Sequence, residues 1–278
     1  MHLRCRSRTL PLPGPLVMGV LNVTPDSFSD GGRHAGVDAA LAEARRMVAQ
    51  GAAFVDVGGE STRPGATPPP VAEELRRVVP VVRAIAAELD VTISVDTSRP
   101  EVITAALAAG AHFINDVRGL TLPGALAAAA AGGAGVCVMH MQGTPETMQH
   151  APRYDDVVAE IRAWLAARIA ACREAGIAAD AIAVDPGFGF GKDAAHHLAM
   201  FAALESFTTL GAPLLVGVSR KSMVGQLTGR PVAERAAGSI ALAAIAAERG
   251  AAILRAHDVA ATVDAVRIGS ALRRGGNS

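Results

Sequence analysis

The 278-residue sequence lacks an excess of charge of either sign: Lys plus Arg and Asp plus Glu each number 26, for a formal net charge of zero. That balance gives no sign of a nucleic-acid or membrane partner, although it leaves room for a local basic site. Cysteine is scarce. Cys5, Cys137 and Cys172 are odd in number and far apart, and no two stand at metal-ligand spacing. They read as buried or free thiols in a reducing compartment, so the expected location is the cytoplasm. No apolar run approaches the ~20 residues that a membrane helix needs. Arg4, Arg6 and Arg8 imitate the basic start of a secretion signal. Pro11, Pro13 and Pro15 break the stretch behind them and a polar motif follows at Asn22, which argues against a cleaved leader. Aromatic residues make up only 3%, so with half the chain hydrophobic the core must be mostly Ala, Val, Leu and Ile. No Gly-x-Ser-x-Gly elbow or similar nucleophile arrangement is present.

What is present is a rhythm. Eight short apolar runs, at 17–21, 54–57, 92–95, 113–114, 135–139, 182–184, 213–218 and 253–254, each lead into a polar or charged residue or turn. Helical patterns at 37–50, 71–89, 100–109, 154–175, 194–204, 232–249 and 260–272 separate most of them, with a short Ala-rich helix after Pro123–Gly124. Strands this short and this apolar are buried on both faces, and their alternation with helices means a parallel sheet. The pattern predicts a single (β/α)8 barrel domain over residues 1–278, with 1–15 as an N-terminal extension. An open doubly wound sheet is the competing architecture; eight units at this length favour closure. A closed barrel collects the C-terminal strand ends on one rim, where such folds carry their chemistry. Two connections, 24–36 and 58–70, are long and rich in Gly, Pro, Ser and Thr, and are expected to be active-site lids.

The rim residues suggest a ligand. Asp96, Asn115 and Asp185 end three strands, where a partly desolvated carboxylate needs a partner. Asp185 suits a planar heterocycle with a guanidine-like edge, whose two N–H groups match its two oxygens. Asn115 adds a donor and an acceptor. The structural alternative is a salt-bridge cluster closing the barrel top. Arg255 and His257, two apart, are expected to clamp a phosphate. Asn22 is positioned to ligate Mg²⁺ held mainly by a substrate diphosphate. Lys221 and Ser222 open a helix and offer an anion site, although Ser222 alone would read as an ordinary N-cap. Three signals are set aside. The Gly187-Phe-Gly-Phe-Gly-Lys192 run matches no phosphate-loop spacing, the adjacent His196 and His197 read as surface residues, and His140 reads as a polar residue of the barrel mouth.

Longer motifs carry a resemblance. Met18-Gly-Val-Leu-Asn-Val-Thr-Pro-Asp-Ser-Phe-Ser-Asp30, Asp56-Val-Gly-Gly-Glu-Ser-Thr-Arg-Pro-Gly65, Ser94-Val-Asp-Thr-Ser98, Asn115-Asp-Val-Arg-Gly119, Met139-His-Met-Gln-Gly-Thr-Pro145, Asp185-Pro-Gly-Phe-Gly-Phe-Gly-Lys192, Ser219-Arg-Lys-Ser222 and Arg255-Ala-His-Asp258 occur in this order. Together they resemble the dihydropteroate synthase family, the sulfonamide target of folate biosynthesis. Arg99 and Ala256 depart from the residues common there, lysine and valine, and neither is expected to touch the chemistry.

The resemblance implies an alkyl transfer that condenses 6-hydroxymethyl-7,8-dihydropterin diphosphate with 4-aminobenzoate and releases diphosphate. It implies that Asp96, Asn115, Asp185 and Lys221 hold the pterin, with Met139 and Phe190 on its faces and Arg255 stacked over it. Arg255, His257, Thr62, Arg63 and Asn22 with Mg²⁺ would hold the diphosphate. Phe28, Pro64, Lys221 and Ser222 would form the 4-aminobenzoate pocket. Asp96, Lys221, Arg255 and His257 make up the implied catalytic set. The family also implies a homodimer through the last helices, where the Ala-rich 239–247 face suits close packing. Two rivals keep the pterin contacts: a methyltransferase barrel, which needs no diphosphate clamp, and a non-catalytic pterin binder.

Overall fold

The computed structural model describes residues 1–24, 32–61, 67–144, 147–148 and 151–275. The chain opens with an antiparallel hairpin, β1 (His2–Cys5) and β2 (Arg8–Pro11). Eight parallel strands follow: β3 (Leu16–Asn22), β4 (Phe54–Gly58), β5 (Thr92–Asp96), β6 (Phe113–Asp116), β7 (Gly135–Met139), β8 (Ile182–Asp185), β9 (Leu215–Val216) and β10 (Ile253–Ala256). Hydrogen bonding runs in the order β8-β7-β6-β5-β4-β3-β10-β9. A parallel bridge between Val184 and Leu214, with Val184 N donating to Pro213 O at 3.0 Å, joins the two edges. The barrel is therefore closed, as the sequence rhythm predicts.

The helices α1 (Gly32–Ala49), α2 (Val71–Glu88), α3 (Pro100–Ala108), α4 (Ala125–Ala131) and α5 (Val157–Glu174) surround it. They continue with α6 (Ala194–Ala202), α7 (Leu204–Thr208), α8 (Ser222–Thr228), α9 (Ala236–Glu248) and α10 (Val259–Gly275). Several boundaries differ from the sequence pattern for local reasons. Asp156 caps α5 by accepting from Val158 N and Ala159 N, so the helix begins after Tyr154. The stretch expected as one helix over 194–204 breaks at Ala203 into α6 and α7, and the one expected from 232 begins as a 3-10 turn at Val232–Glu234.

Strand period two sorts the barrel into an outer shell and an interior. Val55, Val57, Ile93, Ile114, Val136 and Val184 pack outward against buried helix residues such as Val78, Val82 and Ile85. Met18, Phe54, Phe113, Cys137, Ala183, Leu215 and Ile253 point inward as an apolar floor. The hairpin closes that floor from below, burying Leu3 and Cys5 completely against it. Its polar side is tied to the segments that lead into the strands. Arg4 pairs with Asp180 at 3.2 Å, Arg6 donates to Leu107 O and Ala111 O, and Arg8 pairs with Asp90 at 2.7 Å. The arginines that imitate a leader thus alternate with buried residues on an edge hairpin. All three cysteines are free and buried, and burial pushes the Cys5 thiol up to about 12 and the Cys172 thiol to about 11. Among the described residues, no helix is long and apolar enough to cross a membrane.

Candidate active site

Above the floor the inward positions become polar. Asp56 lies two residues after Phe54, Asn115 two after Phe113, Asp185 two after Ala183 and Arg255 two after Ile253, so the same period that builds the floor aims these side chains into the mouth. Asp56, Asp96, Asn115 and Asp185 are all buried. The Arg255 guanidinium spans two carboxylates, with Nε 2.6 Å from Asp56 Oδ2 and Nη2 2.8 Å from Asp96 Oδ2. Asp56 accepts two further hydrogen bonds, from Ser94 Oγ at 2.5 Å and from Asn115 Nδ2 at 3.1 Å. The mouth is therefore partly the salt-bridge cluster that the sequence offers as its alternative.

Two glycines line the mouth where side chains from several strands converge. A side chain begun at Gly217 would meet Lys221 Nζ at 3.6 Å, Arg255 Cβ at 3.8 Å and Asp185 Oδ2 at 4.0 Å. One begun at Gly58 would meet Asn22 Oδ1 at 3.6 Å and Asp96 Cβ at 3.7 Å. These two glycines thus let Asp185, Lys221 and Arg255 on one side, and Asn22 and Asp96 on the other, come close to the backbone of the mouth.

Burial sets the protonation balance. It raises Asp96 to about 7, an effect opposed by Arg255 and reinforced by Asp56 and other acids nearby. It also raises Asp185, against the attraction of Lys221 and a hydrogen bond from Gly187 N. Desolvation brings Lys221 down to about 8, with Asp185 holding it up. The site is thus short of solvation for both signs of charge, as suits a polar ligand with complementary groups.

The Gly187-to-Lys192 loop is a lysine holder rather than a phosphate cradle. Its N–H groups at Gly187 and Gly189 are used, by Asp185 Oδ1 and by His197 Nε2. Its carbonyls face cations: Phe188 O accepts from Lys221 Nζ and Phe190 O from Lys192 Nζ. Lys192 is buried and also contacts His140 O at 3.2 Å and Nδ1 at 3.0 Å. Gly187, at φ 76°, is obligatory, because a Cβ there would lie 1.9 Å from His140 O. Phe190 joins Met139, Val117 and Met148 in a small apolar cluster, and Lys221 Nζ stands 4.6 Å from the centre of its ring. His197 is not the surface residue that the sequence suggests. It is buried, because Nε2 anchors Gly189 while the ring lies beside Phe188, and burial lowers its pKa to about 4.

At the lip, Arg255 and His257 have different partners within the chain. Arg255 is committed to Asp56 and Asp96, whereas the His257 Nδ1 lies 3.0 Å from Ser219 Oγ, because β10 ends at Ala256 and the chain turns outward. Ser222 is not an N-cap either; Lys221 holds that position and Ser222 is the exposed first residue of α8. Phe28, Thr62, Arg63 and Pro64, within residues 25–31 and 62–66 of the two expected lids, lie outside the described residues. The Ala-rich face of α9 is used within the chain. Ser239, Ala243, Ala246 and Ala247 are buried, and Gly269 of α10 comes so close that a Cβ there would lie 2.2 Å from Ala244 O.

A family described as pterin binding enzyme matches residues 18–257. The chain is 55% identical over 268 residues to a dihydropteroate synthase of Escherichia coli strain K12, covering 96% of this chain and 95% of that protein. The chain belongs to this family, among the dihydropteroate synthases. A Xanthomonas albilineans dihydropteroate synthase solved with 4-aminobenzoic acid superposes with a TM-score of 0.91 at 52% identity, covering 98% of each chain. A second structure from that organism, in complex with 7,8-dihydropteroate, gives 0.89 at 48% identity over 98% of this chain and 99% of that one.

Within this synthase barrel, two buried residues escape a reading of strand ends. Asp56 sits in the middle of β4, and only the alternation from Phe54 would have placed it inside. Lys192 follows a glycine run whose pattern suggested phosphate. Arg99 stands off the mouth as expected, its Nε 3.3 Å from Glu74 Oε2.

Proposed function

We propose that the residues of the mouth divide the dihydropteroate synthase reaction among them as follows. The chain is a transferase that condenses 6-hydroxymethyl-7,8-dihydropterin diphosphate with 4-aminobenzoate, forming 7,8-dihydropteroate and diphosphate for folate biosynthesis. The observation that carries the assignment is the convergence of Asp185, Lys221 and Arg255 at Gly217, where a Cβ would stand within 4.0 Å of all three. A flat pterin placed there presents its guanidine-like edge to Asp185, which returns two acceptors for two donors. Asn115 and Asp96 meet the remaining polar edge, and Met139 and Phe190 supply the apolar faces.

The chemistry is a dissociative substitution. As the bond to diphosphate breaks, positive charge spreads from the methylene carbon into the pterin, and the carboxylates of Asp96 and Asp185 favour it. The leaving diphosphate is received by Arg255, His257, Thr62 and Arg63. Asn22 fits a Mg²⁺ site shared with that diphosphate. Its amide oxygen is a hard donor at the end of β3, 3.6 Å from where a Cβ on Gly58 would lie. Bound there, Mg²⁺ would neutralise charge developing on the leaving group. The 4-aminobenzoate carboxylate meets Lys221 and Ser222 at the start of α8, with Phe28 and Pro64 against its ring. Its arylamine is unprotonated at neutral pH, so it attacks the methylene carbon without a general base and gives up a proton to solvent once the C–N bond has formed.

We also read the protein as a cytoplasmic homodimer. Free, buried thiols support the compartment. Exposed Leu227, Val232, Ile245, Ile268 and Leu272, spread from α8 to α10, support a second copy on that side. Diphosphate release in a coupled assay tests the catalytic reading: it should require both substrates. No release with both present would refute the activity.

A further inference from the structure

We propose that Asp56 is the positioning residue of the pterin pocket, fixing the Asn115 amide with its carbonyl oxygen toward the substrate and holding the Arg255 guanidinium in place. The inference rests on reading the mouth as the pterin site. Asp56 is fully buried in the interior of β4, where strand period two aims it at the barrel axis. A carboxylate oxygen only accepts, so the Asn115 group lying 3.1 Å from Asp56 Oδ2 must be the Nδ2 amide. The carbonyl Oδ1 of Asn115 then faces away from Asp56. The same Asp56 oxygen takes Arg255 Nε at 2.6 Å, and the other is held by Ser94 Oγ at 2.5 Å. One carboxylate therefore joins β4, β5, β6 and β10 and decides which end of an amide the ligand meets. Without it the Asn115 amide is free to present either end, and Arg255 retains only Asp96.

The test is a set of variants whose affinity for 6-hydroxymethyl-7,8-dihydropterin diphosphate is titrated by calorimetry. Asp56→Ala should weaken binding about 10- to 100-fold, the loss expected when hydrogen bonds to a charged group are removed. Asp56→Asn should return to within about 3-fold of wild type, because its amide can donate to Ser94 Oγ and leave one oxygen for both Asn115 and Arg255. Adding Ser94→Ala to Asp56→Asn removes that anchor and should weaken binding about 10-fold, whereas Ser94→Ala alone should change it by less than about 3-fold. The KM for 4-aminobenzoate at saturating pterin should stay constant throughout, which a general structural defect would not allow. The isosteric Asp56→Asn pair keeps the test usable if Asp56→Ala fails to fold. Additive effects of Asp56→Asn and Ser94→Ala, or an Asp56→Asn variant as weak as Asp56→Ala, would overturn the positioning role. Absence of pterin binding by the wild-type protein would instead overturn the site assignment beneath it.

Discussion

The floor and the mouth of this barrel are built by the same strands, two residues apart, and they have opposite physical character. Phe54, Phe113, Ala183 and Ile253 fill the floor with apolar volume that the N-terminal hairpin seals. Asp56, Asn115, Asp185 and Arg255 occupy the next inward positions and form a network whose charges are poorly solvated. Burial of apolar surface stabilises the fold at roughly 25 cal/mol per Å². Buried charges oppose it unless they are matched, and a matched buried pair adds little net stability even though losing one partner alone is costly. The difference assigns stability to one end of the strands and ligand recognition to the other.

The largest expected effect lies in the mouth. Asp185→Asn should lower kcat/KM for the pterin diphosphate by about 100-fold or more, since one donor in the substrate would meet an amide donor. Steady-state kinetics near wild type would break the comparison at its functional end. Next is the floor. Phe113→Ala, at a fully buried ring packed edge-on to Phe54, should cost about 3–5 kcal/mol in urea unfolding while leaving the pterin KM of the folded protein unchanged. A large KM change with little loss of stability would erase the division between the two ends.

The pH dependence sharpens the contrast. Burial holds the His140 and His197 pKa values down, to about 3 and about 4, whereas an unfolded histidine titrates near ~6.5. As pH falls below that unfolded value, the unfolded chain takes up protons that the fold refuses, so these residues destabilise the protein in acid. Asp96 runs the other way. Its folded pKa is raised to about 7, so the fold binds a proton that the unfolded chain has released, and stability is lost as pH rises from about 4 to 7. Asp96→Asn should therefore gain stability relative to wild type as pH rises over that range, whatever constant offset the lost Arg255 contact adds. A melting-temperature difference that stays flat with pH would contradict the sign. The smallest effect on catalysis is expected at Arg99, whose partners lie off the mouth: Arg99→Lys keeps a cation beside buried Glu74 and should leave kcat/KM within about 2-fold.

The sequence shows the barrel because its parallel strands are apolar on both faces and each stops at a polar residue. It shows Asp96, Asn115 and Asp185 for the same reason. Asp56 is harder to see, since one buried acid inside an apolar run looks like an interruption until the inward phase is set by Phe54. The hairpin is hidden because Leu3 and Cys5 give too short an alternation to outweigh the arginines between them. The pairing of Arg255 with Asp56 and Asp96 joins residues up to 199 positions apart, a separation that no local pattern contains. The inward turn of His197 depends on Gly189, eight residues away across a loop, and helical spacing alone does not reveal it.

The mouth forgoes stability in exchange for binding a pterin. Urea unfolding of wild type and Asp185→Asn, each with and without 6-hydroxymethyl-7,8-dihydropterin diphosphate, tests it most directly. Because burial disfavours the ionised Asp185, the unliganded variant should be at least as stable as wild type at pH 7, and ligand should stabilise only the wild type, by about 2.7 kcal/mol at a hundredfold excess over Kd. A variant that is clearly less stable without ligand, yet gains as much from it as wild type, would contradict the account.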